Sequence, residues 1–149
     1  MHSNLRPSQV VAFVGTVPPS SAAAGIQLSG WIDISQFEAL MGVIQNGALG
    51  TSATVDAKFR QALDNTGTGA KDVAVTAMAQ NVVATDNNKM NIINLLARDV
   101  DFANGFRYVA LSITVGVAAS LVSGIVIGIN ERFGPAALQN NAAVKQVVN

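Results

Sequence analysis

An all-β domain, either a sandwich or a barrel, is the fold class that this sequence predicts, and three observations predict it. Apolar and polar residues alternate through 54–63, the period of a half-exposed strand. The uncharged stretch Tyr108–Ile129 is rich in Val, Ile and Thr, which favour pleated backbone. Turn-forming clusters separate the apolar runs at a spacing of roughly 8–15 residues.

Taken in order, residues 1–9 read as a loose N-terminal arm, and 10–135 as the folded domain. Val10–Val14 is a short apolar strand, closed by Gly15 and the Pro18-Pro19 pair. Pro-Pro-Ser-Ser followed by three Ala and a Gly makes Val17–Gly25 a surface loop. Trp31–Ile34 is a strand. Phe37–Asn46 is another, apolar on both faces: Leu40 and Ile44 on one, Ala39, Met41 and Val43 on the other. Such a strand is central to a core or lies in an interface. Gly47–Ser52 is a turn.

In Thr54–Leu63 the residues Val55, Ala57, Phe59 and Leu63 share one face, interrupted by Gln61, and Thr54, Asp56, Lys58 and Arg60 share the other. Asp64–Asp72 (DNTGTGAKD) is a loop of turn formers. Val73–Val83 holds one or two short strands, Asp86–Lys89 is a turn, Asn91–Ala97 a strand and Asp99–Gly105 a loop. The tail, 136–149, is a short helix or an extended arm.

The segment 108–129 admits two readings. Its 22 residues carry no charge, which is long enough for a membrane-spanning helix, and Gly124 and Gly128 form a G-x-x-x-G helix-pairing pattern. Against this, Val109, Leu111, Ile113 and Val115 alternate with Tyr108, Ala110, Ser112 and Thr114. Leu121, Ser123, Ile125, Ile127 and Ile129 alternate in the same way with Val122, Gly124, Val126 and Gly128. Small residues at 116–120 suit a turn. The expectation is a buried hairpin rather than a span.

Charged residues are 12% of the chain, about half the usual fraction, with nine basic against nine acidic. A free monomer of this size normally carries more surface charge, so much of the surface is expected to be covered by other subunits. Zero net charge and no basic run argue against nucleic acid as a partner. Cysteine is absent. The apolar run near the N-terminus is five residues, too short for the core of a signal peptide.

The residues supply little chemistry. His2 is the one histidine, so a His-based triad is not expected, and zinc lacks ligands. Gly-Thr-Gly-Ala-Lys at 67–71 fails the phosphate-loop spacing. The carboxylate pairs Asp99/Asp101 and Asp64/Asp72 lack the alternation and distal Glu of a calcium loop. No catalytic residue, cofactor or metal is assigned, and the chain is not expected to be an enzyme. Trp31, Phe37, Phe59, Phe106 and Tyr108 read as core or core-edge residues, and Arg107 as half of a structural ion pair. What the residues suggest is self-association, because the strand at 37–46 and the segment 108–129 leave more apolar surface than two sheets hide on their inner faces.

The run Ala103–Val115 (ANGFRYVALSITV) resembles the GxRYVRxxxTV strand of small virion proteins of tailed bacteriophages. Its sequel is similar too: a Gly-containing turn, the strand 123–128 and the ending Arg132-Phe133-Gly134-Pro135. Upstream, Ile32-Asp33-Ile34-Ser35-Gln36-Phe37-Glu38-Ala39-Leu40 resembles that group's xIDLSxFExL segment, and 54–73 fits as well. Roughly residues 30–136 are covered. Ala110 departs from the pattern, which has Arg there.

The resemblance implies a capsid cement or decoration protein with a jelly-roll-like antiparallel β-sandwich. Such a protein binds the outside of an HK97-type shell and ties capsomers together. Its implied partners are the major capsid protein and further copies of itself, as a dimer or trimer, with neither nucleic acid nor membrane. Its implied location is the capsid exterior, after assembly in the bacterial cytoplasm. From expected exposure, the contacts are placed on the arm, the 17–25 loop and the tail, at Leu5, Arg6, Val17, Pro18, Pro19, Leu138, Val144 and Val147, with Met41 and Val43 on the doubly apolar strand. Rival readings are a head–tail connector or tail component, a holin-like membrane protein spanning at 108–129, and an enzyme or carbohydrate-binding module on the same scaffold.

Overall fold

The computed structural model describes residues 4–74 and 76–148. Its strands are β1 Val11–Ala22, β2 Gly25–Leu28, β3 Ile32–Asp33, β4 Phe37–Asn46, β5 Thr54–Ala62, β6 Lys71–Asp72, β7 Asn81–Val82, β8 Met90–Leu96, β9 Tyr108–Gly116 and β10 Ser120–Glu131. The first sheet has the order β1-β10-β4-β8. The second runs β2-β9-β5-β6, with β3 also on β9 and β7 also on β5. Every pairing is antiparallel.

When β2 with β3, and β6 with β7, each count as one broken strand, the order is that of a jelly roll: two four-stranded sheets wound as paired Greek keys. The inner faces meet in one core. Phe37, Leu40, Ile44, Leu95 and Val126 come from the first sheet, and Val55, Phe59, Leu111, Ile113 and Val115 from the second, each at most 2% exposed. Burial of each such side chain contributes about 1.5–3 kcal/mol.

The stretch 108–129 forms two strands, as its alternation predicts, but not a hairpin. β9 pairs with β2, β3 and β5, whereas β10 pairs with β1 and β4. The chain arches from one sheet to the other through 117–119, with Val117 at φ 69°. The physical reason is burial on both sides: each segment is flanked by strands on both edges and sits centrally in its own sheet, which a two-stranded ribbon would not provide. No helix among the described residues is long and apolar enough to cross a membrane. Gly124 makes room for β9 of the facing sheet, and Gly128 for the Phe37 ring of the neighbouring strand β4. A Cβ at Gly128 would stand 2.5 Å from the Phe37 ring, and one at Gly124 would stand 2.9 Å from Ile113 Cδ1.

Other expectations need correction. The supposed 17–25 loop is largely strand: β1 runs to Ala22, with Ser20, Ser21 and Ala22 opposite Val122, Leu121 and Ser120. The prolines fit because Pro18 and Pro19 fall in the register shift between Val17 and Ser20, on an edge strand where a missing N–H breaks no ladder bond. Val17 faces the core at 3% exposure, so it is withdrawn as a surface contact. Leu63 lies past the end of β5 and is 43% exposed, whereas Gln61 is buried, accepting from Asp101 N–H at 2.8 Å.

The described part of the N-terminal arm is not loose. Pro7–Val10 is one helical turn that packs on the tail's 3₁₀ turn, Ala136–Gln139. Met1, His2 and Ser3 lie outside the described residues, as do Val75 and Asn149. The tail combines both expected forms: after the 3₁₀ turn it lies along the open edge of β1. Asn141 N–H donates to Phe13 C=O at 2.6 Å, and Asn140 Oδ1 accepts from Phe13 N–H at 2.8 Å. An unpaired strand edge is thereby covered.

Candidate interaction surface

Alternation in the first sheet sends one set of side chains to the core and the other outward. The outward set forms cross-strand rows fixed by register. Thr16, Ile125, Val43 and Ile92 form one row, and Phe13, Ile127, Met41 and Asn94 the next. Ile129, Ala39 and Leu96 lie beyond. Ile92 is 58% exposed and Ile125 42%, while Met41 and Val43 are half-buried by their neighbours. No charged residue occurs in Val11–Ala22, Ala39–Asn46, Met90–Leu96 or Ser120–Asn130.

The second sheet is the opposite. Lys58 pairs with Asp72 at 2.6 Å across its outer face, and Arg60 approaches the same carboxylate at 3.4 Å. Lys71 bonds Asp101 at 2.6 Å and lies 4.1 Å over the Phe106 ring. The two faces of the sandwich therefore differ: the second sheet carries charges on β5 and β6 beside exposed Ile26 and Leu28, whereas the centre of the first is free of charge.

The sequence-chosen contacts fall in three places. Leu5, Arg6 and Leu138 lie at the end of the sandwich where Pro7–Val10 meets Ala136–Gln139; Leu138 is 75% exposed and Phe133 beside it 64%. Pro18 and Pro19 are exposed toward the opposite end, near Leu121. Met41 and Val43 occupy the middle of the apolar face, and Val144 sits half-buried beside Thr16 and Ile125. Val147 is exposed further along the tail. The fold thus brings Met41, Val43 and Val144 to one face and separates them from Leu5 and Pro18. Phe13, Ile92 and Ile125 share the rows of this face but are not among the sequence-chosen residues. The signal was present in 121–129, where bulky Ile residues alternate with glycines.

The candidate carboxylates are occupied by structural bonds. Partial burial raises the Asp33 carboxyl, but hydrogen bonds from Arg107 and Ser35 outweigh it and hold the group below its ordinary value. Arg107 Nε donates to both Asp33 oxygens at 2.9 Å, and Nη2 also bonds Asp33. This is the structural ion pair expected of Arg107. Hydrogen bonds from Thr68 and Thr66 hold Asp64 far below the carboxylate range, and the Lys71 bond lowers Asp101. Asp99 Oδ2 accepts from Leu96 N–H at 3.1 Å. Among the described residues no three His, Cys, Asp or Glu side chains cluster as metal ligands. Phe37 and Phe59 are core residues, while Trp31, Phe106 and Tyr108 are half-buried at its margin.

No family model matches this chain, and no curated protein matches it. Solved structures give distant likenesses. The SPBc2 prophage-derived protein YomS is 13% identical over 79% of this chain and 91% of that chain, with TM-score 0.39. A chain of Triatoma Virus is 12% identical over 95% and 74%, with TM-score 0.45. The xylan-binding module CBM15 is 12% identical over 84% and 99%, with TM-score 0.39. Likenesses at this level carry no argument, and the jelly roll stands on the strand pairing itself.

Proposed function

We propose that this chain is a structural, non-catalytic virion protein: a cement or decoration subunit that binds the outside of a tailed-phage shell and stabilises contacts between capsomers. The observation that carries the reading is the charge-free apolar outer face of the first sheet. A subunit that stood alone in water would leave that face exposed, and an assembled one covers it. The segments behind the sequence resemblance also converge. Asp33 of the upstream motif and Tyr108 of the GxRYV strand are paired residues of β3 and β9, and Arg107 clamps Asp33. They form one structural clasp, as motifs shared for folding would.

In this reading the major capsid protein is the partner, several copies act together, and neither nucleic acid nor membrane takes part. Binding only the assembled shell stabilises it by mass action. The exposed apolar ends at Leu5, Phe133 and Leu138 and at Pro18-Pro19 supply further contact. The test is electron cryo-microscopy of the particle that carries this chain. Many copies as density outside the shell are expected. A single ring at the portal vertex would replace the reading with a head–tail connector, and a particle without the chain would end it.

A further inference from the structure

We infer that the outer face of the first sheet is where a second copy of this chain docks, face against face about a twofold axis. The inference deepens the reading as an assembled structural subunit and rests on it for its biological setting. β10 carries the first argument. Its outward residues Ile125, Ile127 and Ile129 are large, while inward Gly124 and Gly128 yield space to Leu111, Ile113 and Phe37. The strand therefore turns its bulk away from its own core, toward something outside the domain.

Charge carries the second argument. At a twofold interface, residues near the axis meet their own copies, so any charge there would meet a like charge. All four strands of this face are uncharged through their central rows, and charges begin only at the ends, at Glu38, Lys89, Arg98 and Glu131. That is an apolar centre with a polar rim, the anatomy of a subunit interface. It offers no complementary charge for a strongly acidic or basic partner.

Area carries the third. Phe13, Met90, Ile92, Leu96, Leu121 and Ile125 are 36–58% exposed. At ~200 Å² for a large side chain they offer about 550 Å². Half-buried Met41, Val43, Ile127 and Ile129 bring this toward the ~800 Å² that a stable complex takes from each partner. Two such pleated faces stack about 10 Å apart with strands nearly aligned.

Sedimentation of the purified full chain over a dilution series tests this. A species of twice the 15.4 kDa chain mass is expected at high concentration. Ile92→Lys should raise its dissociation constant by at least ~10-fold, as truncation of a buried anchor does. Leu28→Lys, on the outer face of the second sheet, should leave it unchanged. Because the sequence contains no cysteine, a spin label at Ile125→Cys gives an independent measurement. Labels on two copies should lie closer together than labels at Leu28→Cys. A chain that is monomeric throughout, or a dimer with the label distances reversed, overturns the inference. A monomer that still binds shells would sink this inference alone, and a dimer that ignores shells would sink only the decoration reading.

Discussion

Thr76 shows how single side chains complete the sandwich. Its hydroxyl accepts from Phe59 N–H at 3.0 Å and donates to Val73 C=O at 3.0 Å, standing in for a missing ladder partner between β6 and β7. Thr76→Val leaves that buried N–H unpaired and should cost about 1–3 kcal/mol in urea unfolding, with Thr76→Ser close to wild type. Gly128→Ala drives a methyl into the Phe37 ring and should cost ~1–3 kcal/mol by the same measurement. The lowered carboxyls of Asp33, Asp64 and Asp101 set an acid limit. A group depressed in the folded state stabilises above its unfolded value, ~3.9 for Asp, and that contribution is lost as pH falls through the folded value. The Tm should hold between neutrality and about pH 5 and decline below about pH 4, and a Tm that climbs on acidification would contradict this assignment.

At the scale of elements, the arch at 117–119 and the strap at 140–144 stand out. Val117 is a β-branched residue in left-handed backbone, 72% exposed. Val117→Gly should stabilise by up to ~1 kcal/mol, relief of that conformation outweighing glycine's entropy cost. Removing residues 140–149 uncovers the Phe13 edge, and light scattering should show faster aggregation of the truncated chain on warming. Sequence patterning located β4, β5, β8 and both halves of 108–129 to within a residue or two, because β5 and 108–129 hold a period-two pattern and β4 and β8 are apolar runs bounded by turn formers. It missed β2, since Gly25–Leu28 carries no such period, and it misjudged Pro18-Pro19 because a bulge on an edge strand is invisible in composition. It paired β9 with β10 because adjacency in sequence favours hairpins, whereas each strand instead takes a partner on both edges at the centre of its own sheet.

Over the whole molecule, the scarcity of charge was legible from composition, but its distribution was not. The charged residues of the strands gather on the second sheet, as Lys58, Arg60, Lys71 and Asp72, and the first sheet keeps its centre neutral. The choice of Met41 and Val43 came from seeing both faces of 37–46 apolar. Ile92 and Phe13 needed the register to reveal that they join the same rows. Because the inferred contact is apolar, the dimer should persist from low to high salt, whereas an association held by ion pairs would dissociate as screening increases.

The pairing of β1 with β10 has a consequence for biosynthesis. Val11 finds Ile129, so the first sheet lacks its centre until the eleven-to-twenty-two segment meets a strand emerging more than a hundred residues later from the ribosome. A nascent chain of this kind carries the apolar strands β1 and β4 unsheltered through most of translation and closes late, as one event. Slow closure, with apolar surface open to aggregation until the last strand arrives, is the expectation that follows from this topology.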